Sequence, residues 1–232
     1  MSIFKTGICV LVFAPLIDNI LGNPVPGIWS TPCGPHVPTL SWGGIFDDPS
    51  TGPSNKDLSA ELYTRTKESH QNAIALRETA TIHRLDSSVT LALVLEGSTH
   101  VNFPSPDDVI FWTDKNSTAT VLKKDYENLS IAYVFLEAVQ ADDSSDFNNT
   151  LKSSLDQAME KILAILCTME SLLSNHDQSI GSYVTRQVMP NSLREITSYS
   201  SKRQRDYIVA KDVVHLLTRV KESHTMLKTG YQ

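Results

Sequence analysis

Apolar residues recur at helical spacing along four long stretches of the chain, and this pattern constrains the fold more than any other feature. The clearest stretch spans 146–174, where eight apolar residues follow one another at intervals of three or four. Such spacing places all eight side chains on one face of an α-helix, and that face must be buried against another element. Asp146 has the short polar side chain expected of an N-cap. The eight residues are Phe147, Leu151, Leu155, Met159, Ile162, Leu166, Met169 and Leu173.

Three more stretches show the same spacing and predict helices over about 54–84, 121–140 and 201–229. Thr66 and Ser69 interrupt the first of these stripes, which makes it the least regular of the four. The predicted inner faces consist of Leu58, Leu62, Ala73, Leu76 and Ala80, of Leu122, Tyr126, Leu129, Tyr133 and Leu136, and of Tyr207, Ala210, Val214, Leu217, Val220, His224 and Leu227.

Two pairs of polar residues predict where the first and last helices begin. Ser54 with Asp57, and likewise Ser201 with Gln204, has the three-residue spacing of a capping box. In that motif the serine hydroxyl accepts a hydrogen bond from a backbone N–H group of the first turn. We therefore expect Ser54 and Ser201 to be N-caps.

The lengths of the connections predict how the four helices are arranged. Segments 85–120 and 175–200 are long enough to run the length of the molecule, whereas only 141–145 joins the middle pair. A short connection makes neighbouring helices antiparallel, and a long one allows them to be parallel. The expected fold class is therefore all-α, an up-up-down-down four-helix bundle with two long crossover loops, formed by residues 55–232.

The first long connection is itself partly apolar. Segments 89–95 (VTLALVL) and 109–112 (VIFW) are expected to pack across the bundle. Ile131 and Phe135 lie opposite the inner face of the second helix. These two residues are therefore the ones that we expect this connection to cover.

The N-terminus is predicted to direct export. Lys5 precedes an apolar run at 8–17, and Gly22 is small enough to precede a cleavage site, so residues 1–22 fit a signal peptide. The run of about ten residues is shorter than the roughly 20 needed to span a bilayer, and a retained signal anchor is the alternative. We expect a secreted, extracellular protein without membrane insertion.

Residues 23–54 form an N-terminal arm that is rich in proline and glycine. The arm contains seven of the 11 prolines and five of the 10 glycines, a composition that sustains neither a helix nor a central strand. Trp29, Trp42 and Phe46 are too apolar for a solvated linker. Part of the arm is therefore expected to dock on the bundle.

Two cysteines remain once the signal peptide is removed. Either Cys33 and Cys167 form one disulfide that ties the arm to the bundle, or Cys167 is a small buried residue and Cys33 is free or paired with another chain. Three N-x-S/T sequons, at Asn116, Asn128 and Asn148, indicate a glycoprotein. Asn128 lies off the predicted inner face, where a glycan would have room.

Charge and motif content argue against nucleic-acid binding and catalysis. Lys and Arg number 20 against 26 Asp and Glu, a net charge of −6, whereas nucleic-acid-binding surfaces are strongly basic. The chain has no H-E-x-x-H, no G-x-S-x-G and no glycine-rich phosphate loop, and its seven histidines lack metal-ligand spacing. We therefore expect no enzyme activity, no metal and no cofactor.

Three segments of the chain resemble a long-chain helical cytokine of the interleukin-6 type, in particular the group of ciliary neurotrophic factor, cardiotrophin-like cytokine and leukaemia inhibitory factor. The resemblance lies in LKKDYENLSIAYVFLEAVQ at 122–140, DFNNTLKSSLDQAMEKILAILCTMESLL at 146–173 and YSSKRQRDYIVAKDVVHLLTRVKES at 199–223. It implies a secreted growth-factor-like ligand that assembles class I cytokine receptor chains on the cell surface and triggers signalling of the JAK/STAT type.

The resemblance also implies receptor-binding residues on the last helix. In that group Phe-x-x-Lys at its start engages a chain of the leukaemia-inhibitory-factor-receptor type, and here Tyr199 and Lys202 form an aromatic-x-x-Lys version. Arg219 falls where the family places an arginine that contacts the ligand-specific receptor, with Lys221 and Glu222 nearby.

Further receptor contacts are implied on the outer faces of the first and third helices, which would meet the shared signal-transducing receptor. The geometric candidates there are Arg65, Glu68, Asn72, Lys152 and Asp156. The resemblance leaves open whether a secreted soluble receptor-like subunit is a further partner.

Two other functions fit a secreted helical chain. Four amphipathic helices could enclose an apolar ligand, which would make the protein a carrier. Alternatively, the dibasic pair Lys202-Arg203 could be the processing site of a peptide-hormone precursor, although a cut there would fall inside the last predicted helix.

Overall fold

The computed structural model describes residues 27–34, 52–113, 117–142 and 149–231. Within these ranges the protein is all-helical, with six α-helices and no β-strand. No helix in these ranges is both long and apolar enough to cross a membrane. The helices are α1 (Asn55–Arg84), α2 (Val89–Leu95), α3 (Thr118–Ala141), α4 (Asn149–Ser174), α5 (Asn191–Arg194) and α6 (Tyr199–Gly230).

Several of the predictions fall outside the described ranges. They concern the signal peptide at 1–22, the docking of Trp42 and Phe46, the start of the third predicted helix at Asp146 and Phe147, and the sequons at Asn116 and Asn148.

Serine side chains begin the first and last long helices. The Ser54 hydroxyl accepts a hydrogen bond from the backbone N–H of Asp57 at 3.2 Å, which confirms the predicted N-cap of α1. The prediction that Ser201 begins the last helix is wrong, because α6 begins at Tyr199 and is capped by Ser198. The residues directly after Ser198 are already helical. The Ser198 hydroxyl accepts a hydrogen bond from the backbone N–H of Ser201 at 3.5 Å.

The four predicted inner faces form the core. Every described residue of those faces is buried, from Leu58 on α1 to Leu227 on α6. Each side chain of leucine size removed from water contributes roughly 1.5–3 kcal/mol, so these faces are the main reason that the long helices pack together. Over 205–214, α6 is buried on all sides.

The long helices pack as four antiparallel pairs: α1 with α4, α1 with α6, α3 with α4, and α3 with α6. In each pair, an earlier residue of one helix contacts a later residue of the other, and a later residue of the first contacts an earlier residue of the second. For α1 and α6 these contacts join Thr66 to His224 and Arg84 to Asp206, and for α1 and α4 they join Arg65 to Ala164 and Thr79 to Ser154. For α3 and α4 they join Tyr126 to Glu170 and Gln140 to Asp156, and for α3 and α6 they join Asp125 to Ser223 and Asp142 to Arg205.

The connection between α1 and α3 covers part of the core, as predicted for Phe135. The Phe103 ring meets Phe135 edge-on, with 5.2 Å between the centroids, and Phe135 is buried. The expectation that segment 89–95 packs across the bundle is wrong for Val89, Leu93 and Val94. This segment forms α2, which buries Leu95 but leaves Val89, Leu93 and Val94 about 70% exposed, since a two-turn helix can bury only one side.

Trp29 anchors the described part of the arm, which confirms that part of the arm docks. Its side chain is fully buried, and its indole N–H donates a hydrogen bond to the Val184 carbonyl at 2.7 Å. The Tyr126 hydroxyl of α3 donates to the Trp29 carbonyl at 2.6 Å. The ring also lies 5.6 Å from that of Tyr133, centroid to centroid. Trp29 therefore fastens residues 27–34 and the connection between α4 and α6 onto α3.

Candidate functional site

Tyr199, the first residue of α6, presents an exposed aromatic ring. The side chain is 53% exposed, and the guanidinium carbon of Arg203 lies 5.3 Å from the ring centroid. Residues four apart lie on the same helix face, which brings this cation over the ring. Beside the ring is a small cavity of about 140 Å³, which Leu85 and Leu91 also line.

Arg203 is held in place by the turn that ends α1. Its guanidinium pairs with the Asp86 carboxylate at 2.6 Å and donates to the Arg84 carbonyl at 2.7 Å. Asp86 has a φ of +50°, a left-handed conformation that turns the chain away from α1. The hydrogen bond with Asp86 raises the pKa of Arg203 above its ordinary value. The cation over Tyr199 is therefore both permanent and fixed in position.

Lys202, which the sequence pairs with Tyr199, contacts a different part of the molecule. Its ammonium lies 3.0 Å from the Asp142 carboxylate at the end of α3. The structure therefore places Arg203, not Lys202, against the ring. Sequence reasoning missed Arg203 because its position depends on Asp86, which lies more than a hundred residues away in the chain.

A buried ion network lies directly beneath this surface. Asp206 pairs with Arg84 of α1 at 2.8 Å and with Arg205 at 2.5 Å, and Arg205 also contacts Asp142. Burial raises the pKa of Asp206, although both arginines act in the opposite direction. Arg205 donates a further hydrogen bond to the Leu193 carbonyl at 3.0 Å. The network joins α1, α3, α5 and α6, and so fixes the base on which Tyr199 and Arg203 stand.

The candidate residues near the other end of α6 contact two different elements. The Arg219 guanidinium lies 4.6 Å from the centroid of the Phe111 ring and pairs with Glu222 at 2.6 Å. The Lys221 ammonium instead points to His70 of α1, at 3.4 Å from Nδ1. Arg219 and Glu222 thus share one surface, whereas Lys221 lies at the boundary with α1.

The five candidates on the first and third predicted helices, now α1 and α4, lie along two different edges of α4, and their receptor contacts stay a prediction. Arg65 donates to the Ala164 carbonyl at 2.9 Å, and Glu68, whose carbonyl accepts from Asn72, pairs with Lys161 at 3.0 Å. These three α1 residues lie beside α4. Asp156 instead bonds Lys152 and Gln140 of α3, each at 2.7 Å. The helical period separates the two groups, because Asp156 and Lys161 are five residues apart.

The prediction that Asn128 lies where a glycan has room is wrong, because its side chain is only 1% exposed. Asn128 precedes Phe135 by two helical turns, so both lie on one face of α3, the face on which Phe103 of the connection meets Phe135. The spacing of apolar residues in α3 marks only the face toward the other long helices. The burial of Asn128 on another face could not be predicted from that spacing.

Cys33 and Cys167 form a disulfide, which ties residues 27–34 to α4. Of the two alternatives that the sequence left open, the structure has the bridged one. Lys202-Arg203 lies in the first two turns of α6, and Arg203 is largely buried. Proteases cut at exposed loop tips, so this dibasic pair is poorly placed for processing.

A second polar cluster, unforeseen from the sequence, lies in the core between three helices. Asp125 of α3, His224 of α6 and Thr66 of α1 are fully buried, and His224 contacts both of the others. Its one signal in the sequence is the polar interruption of the first stripe at Thr66. Because solvent cannot reach these groups, the cluster does not form an active site of the usual open kind.

The exposed surface around Tyr199 and Arg203 is therefore the candidate functional site. It combines an exposed aromatic ring, a fixed cation and a small cavity that Leu91 of α2 lines, and such surfaces mark interaction sites more often than catalytic ones. Comparisons with protein-family models, with curated proteins and with solved structures find no match for this chain.

Proposed function

We propose that this chain is a secreted ligand that binds and assembles class I cytokine receptors of the interleukin-6 type, without catalytic activity of its own. The observation that carries the proposal is the exposed Tyr199 ring with Arg203 fixed against it at the start of α6. One receptor chain, of the leukaemia-inhibitory-factor-receptor type, would bind there. A shared signal transducer would bind a second surface, and the pair of receptors would start JAK/STAT-type signalling.

The helix arrangement supports this proposal. Both α1 and α3 are antiparallel to α4 and to α6, so α1 and α3 point one way and α4 and α6 the other. Long connections separate α1 from α3 and α4 from α6, whereas α3 and α4 lie close in sequence. We therefore infer an up-up-down-down four-helix bundle with two long crossover loops, the fold that the resemblance implies.

The chemistry of the surface suits a protein partner. An aromatic ring contributes buried area at little cost in side-chain entropy, and Arg203 is already held by Asp86 before any partner arrives. Val89, Leu93 and Val94 add an exposed apolar patch on α2, whose Leu91 reaches the cavity beside Tyr199. Interfaces of this type depend on a few buried anchors surrounded by a polar rim.

Receptor ectodomains immobilised on a biosensor test the proposal directly. We expect the mature chain to bind an ectodomain of the leukaemia-inhibitory-factor-receptor type, and Tyr199→Ala to raise Kd about 30-fold, the effect of a hot spot of about 2 kcal/mol. Tyr183→Ala is the matched control, because Tyr183 is also exposed, at 44%, but lies in the connection after α4. It should change Kd by less than about threefold.

Both variants should keep the wild-type helicity, since each removes an exposed ring. Binding of no ectodomain in the panel would refute the proposed partner class. Equal Kd values for wild type and Tyr199→Ala would refute the site.

A further inference from the structure

A groove of about 790 Å³ runs along α3, on the side that faces the connection between α4 and α5. We name it the α3 groove; it is lined by Ile110 and by residues of segments 120–131 and 180–188. Its volume lies within the range of about 300–1,000 Å³ that is typical of pockets for small organic ligands. None of its lining residues lines the cavity beside Tyr199. The α3 groove is therefore separate from the proposed receptor surface.

The helix α3 and the connection form the two long walls of the groove. Lys123 of α3 donates a hydrogen bond to Gln178 at 3.0 Å, and Arg186 pairs with Glu137 of α3 at 2.6 Å, so the connection runs alongside the helix. The α3 residues that line the groove span 120–131, which is about 16 Å along the helix axis. The groove is therefore elongated along α3.

Apolar side chains form the floor of the groove, and polar side chains form its rim. The floor includes residues that belong to the core or pack against it, namely Tyr126, Ile131, Ile180, Val184 and Val188. The rim includes exposed polar residues, namely Thr120, Glu127, Ser182 and Gln187. Such a lining favours an amphiphilic ligand, because an apolar chain leaves water on the floor while a polar head group stays at the rim.

The two lysines that line the groove differ in their partners. The Lys124 ammonium pairs with the Glu127 carboxylate at 2.9 Å, so these two charges neutralise each other. The Lys123 ammonium donates to a neutral amide oxygen of Gln178, and it forms no ion pair with any carboxylate that the structure describes. A ligand carboxylate beside Lys123 would therefore form a charge-assisted hydrogen bond without competition from a described acidic residue.

We propose that the α3 groove binds a long-chain fatty acid, with the acyl chain along the apolar floor and the carboxylate paired with Lys123. An unbranched acyl chain fits an elongated floor, and one cation without an anionic partner selects a head group with one negative charge. This binding activity goes beyond receptor assembly and does not depend on it.

Calorimetric titration of the folded chain with dodecanoate tests the proposal. We expect a Kd of about 100 μM or tighter, a value typical of a small ligand whose chain is largely buried. Decanoate, which is two methylenes shorter, should bind at least about threefold more weakly. Full burial of two methylenes changes a binding constant about tenfold, and the groove is open at its rim.

Substitution of Lys123 tests the head-group contact. Lys123→Gln should raise the Kd of dodecanoate about tenfold, the effect of one lost hydrogen bond to a charged group. Dodecanol has the same chain without the charge, and its Kd should be equal in the wild type and in Lys123→Gln within about twofold. Lys67→Gln is the matched control, because Lys67 is an exposed lysine on α1 outside the groove. It should leave the Kd of dodecanoate unchanged within about twofold.

Two results with Lys123→Gln would overturn the proposal. Equal Kd values of dodecanoate in this variant and in the wild type would show that the carboxylate does not contact Lys123. Equal losses of affinity for dodecanoate and dodecanol would show that the variant disturbs the groove and that the charge of Lys123 plays no part.

Methyl resonances of the unaltered protein locate the ligand without any variant. Dodecanoate should shift the methyl resonances of Ile131 and Ile180 and leave those of Ile82, which is 55% exposed on α1, unchanged. Absence of shifts at Ile131 and Ile180 would show that another segment of the chain closes the groove to fatty acids. Shifts that depend on protein concentration without dodecanoate would show that a second copy of the chain occupies the groove. Either result would overturn the proposal.

Discussion

Replacement of Trp29 by alanine is expected to cost a large part of the stability of the protein. A tryptophan side chain buries about 200–250 Å² when it is fully enclosed, and about 25 cal/mol per Å² of apolar area gives roughly 5 kcal/mol. The alanine side chain keeps a small part of this burial energy, and replacement of a buried tryptophan by alanine costs about 3–5 kcal/mol. The change also leaves the Val184 carbonyl without its indole donor. We expect a loss of about 4 kcal/mol from a total that is normally about 5–15 kcal/mol.

Urea denaturation followed by far-ultraviolet circular dichroism measures this loss, with the disulfide intact in all proteins compared. Trp29→Phe keeps a ring in the socket but removes the donor, and should lose about 1–3 kcal/mol. Ile28→Ala is the matched control in the same turn, because Ile28 is 55% exposed, and it should change the free energy of unfolding by less than about 0.5 kcal/mol. A loss below about 1 kcal/mol for Trp29→Ala would show that the buried Trp29 side chain does not hold residues 27–34 on the bundle.

Two further predictions concern the same segment. The Cys33→Ser/Cys167→Ser variant should lose up to about 5 kcal/mol in the same assay, because the bridge closes a loop of 134 residues in the unfolded chain. A loss no larger than that of a surface substitution would count against a structural bridge. Gly27→Ala should cost about 1–3 kcal/mol, because its Cβ would lie 2.1 Å from an atom of the buried Trp29 ring. The added Cβ should displace the Trp29 ring, so the tryptophan fluorescence of Gly27→Ala should be easier to quench than that of the wild type. Equal quenching in the two proteins would contradict this explanation.

The core could be predicted from the sequence because its signal is local. Residues such as Leu155 and Ile162 lie at intervals that only an α-helix brings onto one face, and both are buried. The N-cap at Ser54 was predictable for the same reason, since its partner Asp57 lies three residues away. The start of α6 was harder to predict, because Ser198 and Ser201 are equally good caps and local sequence does not choose between them.

The surface could not be predicted to the same extent because it depends on distant parts of the chain. Asn128 is polar and lies off the inner stripe, yet it is buried. Arg203, not Lys202, meets Tyr199 because Asp86 holds the arginine from the turn after α1. Lys202 follows Tyr199 by three residues and Arg203 follows it by four, and both spacings bring side chains together on a helix, so the tertiary contact decides between them.

The polar interruptions of the α1 stripe show how local spacing and contacts between distant parts of the chain act together. Thr66 breaks a stripe on α1, and His224 occupies a stripe position on α6. Because these helices are antiparallel, the two side chains lie at one level of the core, and the Thr66 hydroxyl forms a hydrogen bond with His224 Nδ1 at 2.8 Å. Ser69, the second interruption, has no hydrogen-bond partner for its buried hydroxyl, which costs about 1–3 kcal/mol. A polar residue at an inner position is thus stabilising only where the direction and register of a facing helix supply its partner, as α6 does for Thr66.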